Sequence, residues 1–208
     1  MDLMSTPASA LVSLAEYLEM ELHSDIRHEY VNGRVYAMSP GASSVHYRIS
    51  LNLIGEFYIQ TRNRPCHVFT GDARVKVSPT GMYTYPDISA LCGEPRFEKY
   101  KGIDTVLNPS VIIEVLSRTT EGYDRGDKFA HYRRLESLQE YVLVSQHRML
   151  VEHFVRDGAE WRLSDLRDPQ ALLRLTSIGC EIPLDEIYRG VEFPDVESSH
   201  LSEQEPHL

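Results

Sequence analysis

Six consecutive residues, Val111-Ile112-Ile113-Glu114-Val115-Leu116, constrain this chain more than any other segment. A run dominated by β-branched side chains, introduced by Asn108-Pro109, reads as a strand covered on both faces. Alternation along a strand puts Glu114 on the same face as Ile112 and Leu116. A carboxylate left alone there costs several kcal/mol, so it is protonated, paired with a cation or bound to a metal. Each of the three outcomes requires a particular neighbour from elsewhere in the chain.

The segments around this strand have equally physical signatures. Leucines at 14, 18 and 22 have helical spacing over residues 13–22. Asn32-Gly33 between alternating runs predicts a hairpin with a type I′ turn, its strands at 28–31 and 34–38. Pro40-Gly41 breaks the chain, and Ser43 or Ser44 can cap a helix to about Arg62, with Ile49, Leu53 and Phe57 on one stripe. Further strands are expected from Cys66 to Thr70 continuing through Ala73 to Val77, then at 85–91 and 110–116, with 93–108 as a long surface loop. A second helix is expected from about Tyr123 to Leu135, followed by strands at 140–145, 149–155 and 160–163. The fold class is α/β (α+β): a mixed central β-sheet flanked by helices, with extra β-hairpins at the N- and C-terminal sides.

At 208 residues, 42% hydrophobic and 25% charged, the chain can bury one core, and a single domain is expected over residues 1–191. Half of the net charge of −10 comes from Glu192, Asp195, Glu197, Glu203 and Glu205 in a stretch with no Lys or Arg, so 192–208 reads as a disordered acidic tail. Basic residues cluster instead at Arg62, Arg64, Arg74 and Lys76 and at Arg118, Arg125, Lys128, Arg133 and Arg134. The net charge argues against tight nonspecific nucleic-acid binding. No apolar run reaches the roughly 20 residues of a membrane helix, and no secretory signal pattern is present, which predicts a cytoplasmic protein with no membrane partner. Cys66, Cys92 and Cys180 are odd in number and widely spaced, which predicts buried free thiols and neither a disulfide framework nor a zinc site.

Pro86-Asp87 opens the strand before the Glu114 strand, and sequential strands usually pair. If they pair antiparallel near their ends, Asp87 and Glu114 enter one cleft, where they share a proton or hold a hard cation, Mg²⁺ or Mn²⁺. The backbone carbonyl of Val115 is a candidate third oxygen. Such a metal could polarise a phosphodiester and acidify the attacking water. Leu116 cannot supply a positive charge, so Lys128, on the helix packed against the sheet, is the candidate cation for charge on the nucleophile and transition state. Asp124 and Tyr132, four residues either side of Lys128, share its helical face as supporting groups. Simpler roles stay open beside these: an exposed ion pair for Asp124 and Lys128, a turn for Pro86-Asp87, and a core arginine such as Arg74 as the partner of Glu114.

In this order, Pro86-Asp87, Glu114-Val115-Leu116-Ser117, Asp124, Lys128 and Tyr132 resemble the Uma-two family, a restriction-endonuclease-like branch of the PD-(D/E)XK nuclease superfamily. Further matching stretches are Tyr30-Val31-Asn32-Gly33-Arg34, Met38-Ser39-Pro40 with His46, Phe69 to Val77 containing Asp72, and Glu140-Tyr141-Val142-Leu143-Val144. Together they extend from about Tyr30 to Val191. The resemblance implies a restriction-endonuclease-like core, a metal site of Asp87 and Glu114, and a lysine moved from the strand to the following helix. Glu29, His46 and Asp72 match positions near the cleft, and Glu29 or Asp72 is implied as a water-mediated metal contact. Arg118 departs from the family, where proline often follows the Leu-Ser.

Three functions are carried forward: Mg²⁺-dependent hydrolysis of DNA, a noncatalytic dimeric scaffold or nucleic-acid binder, and hydrolysis of a smaller phosphate ester. The second is motivated by the charge and by the lack of a helix-turn-helix or zinc module. A homodimer is expected, with the hairpins from Met149 to Leu163 as pairing surface.

Overall fold

Local signals position the first elements of the computed structural model, which describes residues 11–38 and 41–193. Ser13 and Glu16 form a capping box at the start of α1 (Leu14–His23). Asn32 and Gly33 both take positive φ, as a type I′ turn requires, and join β1 (His28–Val31) to β2 (Arg34–Ala37). The Ser43 hydroxyl accepts the His46 N–H at 3.1 Å and starts α2 (Ser44–Thr61), which buries Ile49, Leu53 and Phe57. The acidic tail expected at 192–208 falls, from residue 194 on, outside the described residues.

The stretch from 66 to 92 divides between two sheets, where the sequence suggested longer strands. β3 (Cys66–Thr70) ends in a turn closed by the Ala73 N–H on the Thr70 carbonyl, and β4 (Arg74–Val77) belongs to the other sheet. β5 (Met82–Thr84) and β6 (Ile88–Cys92) are likewise separated, because Tyr85-Pro86-Asp87 is the crossing between sheets. Proline there has no N–H to give to a ladder. The expected loop at 93–108 contains a hairpin, β7 (Phe97–Tyr100) and β8 (Ile103–Val106), turned by Lys101 and Gly102 at positive φ. Its strands mix half-buried, exposed and buried positions without a regular alternation, so their apolar pattern is weak.

β9 (Val111–Leu116) is buried at every position. It pairs antiparallel with β6 and parallel with β10 (Glu140–Ser145). A parallel pair needs a crossover, and a helical run supplies it: α3 (Glu121–Tyr123), a π-turn at Asp124–Lys128, and α4 (Phe129–Tyr132). The run starts two residues before the expected helix and ends three before it. β11 (Val151–Asp157) and β12 (Glu160–Leu166) are longer at their C-terminal ends than expected and complete the central sheet, order β12-β11-β10-β9-β6-β3. The second sheet, β2-β1-β5-β4-β8-β7, absorbs the N-terminal hairpin. The hairpin of β13 (Leu172–Leu175) and β14 (Cys180–Pro183), and α5 (Leu184–Ile187), were not anticipated. The architecture is thus the expected α+β class, with mixed sheets and few helices.

Two apolar layers hold it together. One face of β9 and β10 (Ile113, Val115, Val142, Val144) packs with α2, β13, β14 and α5 through Leu53, Phe57, Leu173 and Ile187. The other face (Ile112, Leu116, Tyr141, Leu143) packs with Val75 and Val77 of the second sheet and with Tyr132 and Leu135. Glu114 lies on this second face by alternation, as anticipated, opposite the helical run. Among the described residues no helix is long and apolar enough to cross a membrane.

The reading of all three cysteines as free thiols is corrected. Cys66 and Cys92 form a disulfide, and only Cys180 is free and buried. The two are register partners on β3 and β6, with Cα atoms 3.9 Å apart, a closeness that pairing creates and a sequence separation of 26 conceals. Cys66→Ser should lower unfolding stability by about 2–4 kcal/mol, from loss of loop closure in the unfolded chain. Urea unfolding without reductant checks this, and midpoints equal to wild type would show that the cross-link contributes nothing.

Candidate active site

The site is assembled where the two sheets and the helical run meet. Asp87 ends the crossing from β5, and the antiparallel pairing of Ile88 with Ile113 brings it beside Glu114. The Val115 N–H donates to Asp87 Oδ2 at 2.7 Å, and the Asp87 N–H to Glu114 Oε2 at 3.4 Å. Each carboxylate is therefore held by the backbone of the other's strand. His46 Nε2, in the first turn of α2, stands 3.2 Å from Asp87 Oδ1.

Lys128 projects from the π-turn into this junction. Its Nζ lies 2.9 Å from Glu114 Oε1, 3.1 Å from Glu29 Oε1 of β1 and 3.5 Å from Asp124 Oδ1. The π-turn widens the helix locally, and both Asp124 and Lys128 are buried in it. Tyr132 donates to Glu114 Oε1 at 2.9 Å, Thr84 to Glu29 Oε1 at 2.5 Å, and Tyr123 to Glu29 Oε2 at 3.0 Å. The exposed-pair reading of Asp124 and Lys128 is therefore replaced by a buried one. Arg74 is not the partner of Glu114: it bonds Thr105 and lies against Tyr17 and Tyr83.

Asp87, Glu114, Lys128, Glu29, His46, Asp124 and Val115 line one open cleft of about 1750 Å³. Asp72 also lines it, but is exposed and paired with Arg27 at 2.7 Å, so it stands outside the buried cluster. Tyr123 and Thr84 were not picked out from the sequence. Tyr123 lies five residues before Lys128, a spacing with meaning only once the π-turn is known, and Thr84 gains its place from the β5 to β6 crossing. Arg118 is exposed on the cleft wall.

The electrostatics follow from burial and from an excess of acid. Desolvation pushes the Glu114 carboxyl up to about 8, against the pull of Lys128 and with Asp124 and Asp87 adding to the rise. Burial also raises Asp124, again opposed by Lys128. Burial acts to lower Lys128, but the charges around it, Glu114 foremost, hold it well above the ordinary lysine value, so it stays an ammonium. Three carboxylates thus contact one cation, with Asp87 beside Glu114 as a fourth acid. The donor set suits a hard divalent ion, because Asp87 and Glu114 offer oxygens only and the surplus negative charge needs a counter-charge. Among the described residues no three His, Cys, Asp or Glu side chains are gathered as a metal site, which leaves most positions of such an ion to water, as Mg²⁺ commonly retains.

With the geometry established, the chain can be compared with known proteins. The α+β fold superposes with a TM-score of 0.69 on the "crystal structure of a putative nuclease belonging to DUF820" from Anabaena variabilis ATCC 29413, covering 85% of this chain and 97% of that one. Identity is 17%, so this likeness concerns the fold alone. The Uma2 family profile, described as "Putative restriction endonuclease", matches residues 14–185, and the chain belongs to that family. It is similar to two proteins of Synechocystis sp. (strain ATCC 27184 / PCC 6803 / Kazusa). One is "Uncharacterized protein sll1609", 32% identical over 81% of this chain and 95% of the relative. The other is "Uncharacterized protein slr1290", 35% identical over 88% and 94%.

Lys128→Met should cost about 3–5 kcal/mol, since it leaves three carboxylates buried without their cation. Thermal unfolding at neutral pH measures this, and a loss below 1 kcal/mol would mean that the ammonium contributes no more than a surface pair.

Proposed function

We propose that the protein is a Mg²⁺- or Mn²⁺-dependent endonuclease that hydrolyses DNA phosphodiester bonds in the cleft. The observation that carries this reading is the buried Lys128 ammonium 2.9 Å from Glu114, with Asp87 held beside Glu114 from the crossing that leads into β6, all opening to one cleft. Asp87 and Glu114 hold the metal, with the Val115 carbonyl as a further oxygen. When bound, the ion supplies Lewis-acid polarisation of the phosphodiester and acidifies the attacking water. Lys128 faces the developing charge from a fixed position, which costs no reorganisation when the transition state forms. Tyr132 orients Glu114 through its hydroxyl, His46 fixes the Asp87 carboxylate, and Glu29 and Asp124 keep Lys128 protonated and in place. Exposed Arg34 and Arg118 on the cleft wall are suited to backbone phosphates.

A second reading, a noncatalytic scaffold or nucleic-acid binder, is favoured by one observation: Lys128 is already engaged by three carboxylates, an arrangement that also serves as a structural clamp. Calorimetric titration of Mg²⁺ and Mn²⁺ separates the two. The nuclease reading expects binding to wild type that is lost in Glu114→Gln, and cleavage of plasmid DNA that falls at least about 100-fold in Asp87→Asn, the scale of removing a principal catalytic group. Cleavage unchanged in Asp87→Asn would overturn the assignment of roles. Metal binding without cleavage of plasmid or oligonucleotide would favour the scaffold.

A further inference from the structure

α2 is apolar on both sides, although only one side meets the other described residues. Its inward stripe buries Ile49, Leu53 and Phe57 against the central sheet. The helix has 18 residues, and its outward side chains Tyr47, Leu51, Tyr58 and Ile59 are 58%, 61%, 64% and 61% exposed. A helix face turned to water normally bears charge, and a helix apolar all round is normally covered all round. Here Arg48 is the sole charged residue of α2 on the exposed side, and the half-buried Glu56 lies at its edge.

Gly55 sits within the outward stripe at helical spacing from Leu51, Tyr58 and Ile59. A Cβ there would meet nothing within 4 Å, so among the described residues nothing requires the glycine. Glycine at mid-helix nevertheless costs about 1 kcal/mol relative to alanine. What it provides is a gap in an otherwise bulky apolar surface.

We propose that this face is covered by the same helix of a second copy of the chain, in an antiparallel two-fold pair centred near Leu53. In that register Leu51 enters the gap over the partner's Gly55, Tyr47 packs on the partner's Ile59, and the Arg48 guanidinium lies on the ring of the partner's Tyr58. Every contact occurs twice, as a self-complementary two-fold interface demands, and antiparallel helix dipoles attract. The four exposed side chains offer roughly 400 Å² of apolar surface, within the about 300–600 Å² of the largest patch on a typical monomer, a patch that is often functional. With the exposed Ser44, Arg48 and Arg62 around it, complete burial of the face would set an upper limit near the ~800 Å² per partner of a standard complex. The face presents no exposed carboxylate of α2, which matters for joining two chains of net charge −10. His46 and Tyr47 line the cleft, so the pair would place two cleft mouths about 20 Å apart along the helix axes. The inference is independent of the nuclease reading, since it concerns assembly alone.

Sedimentation of the full chain at micromolar concentration tests it. Wild type should have twice the 23.8 kDa chain mass, and Leu51→Glu should raise the dimer Kd by about 100-fold or more by placing two carboxylates in an apolar contact. Leu51 is exposed in the single chain, so circular dichroism and Tm of that variant should match a dilute, dissociated wild type. Leu163→Glu, on the edge strand β12, should leave the dimer intact. A monomeric wild type, a Leu51→Glu protein that remains dimeric, or a dimer broken by Leu163→Glu alone would each overturn the proposal.

Discussion

One ammonium ties three parts of the structure together. Lys128 comes from the crossover between β9 and β10 and meets Glu114 of the central sheet and Glu29 of the second sheet, with Asp124 of its own π-turn alongside. Desolvating these groups is expensive, and their mutual attraction repays the cost only when the geometry and the remaining hydrogen bonds are complete. Tyr132, Thr84 and Tyr123 complete them. The cluster is thus weak as a source of stability but demanding as a specification. It is satisfied only when both sheets and the helical run are seated together.

That demand explains features that would otherwise look incidental. The π-turn brings Tyr123, five residues before Lys128, to the side already shared by Asp124 and Lys128, at the cost of a regular helix. Pro86 marks the place where the chain leaves one sheet and enters the other, and so delivers Asp87 to the end of β6 beside Glu114. Glu29 and Thr84 come from the second sheet. The N-terminal hairpin is therefore part of the wall of the site and not an appendage.

The cleft retains an acidic excess after Lys128 is counted. A purely structural cluster of this kind tends towards neutrality, because uncompensated buried charge shifts its protonation or destabilises the fold. Burial pushes the Glu114 carboxyl up, the direction of the first course. Under the proposed nuclease function, a divalent cation would take the place of the proton. Its chemistry would then follow from the oxygen donors and the neighbouring ammonium.

The sequence by itself determined the elements whose signals are local. The apolar run at 111–116, the Asn32-Gly33 turn, the serine cap of α2 and the leucines of α1 were all legible, because capping, turn chemistry and periodicity act over a few residues. Glu114 stood out because its immediate neighbours made it costly, and Asp87, Lys128, Asp124 and Tyr132 followed from strand order and helical spacing. Tertiary structure alone decided which sheet each strand joined, the hairpins at β7–β8 and β13–β14, the Cys66–Cys92 cross-link, and the roles of Glu29, Thr84 and Tyr123. Those outcomes depend on register and on packing between segments far apart in the chain. No local pattern records either, since a strand is told that it will be covered but not by what.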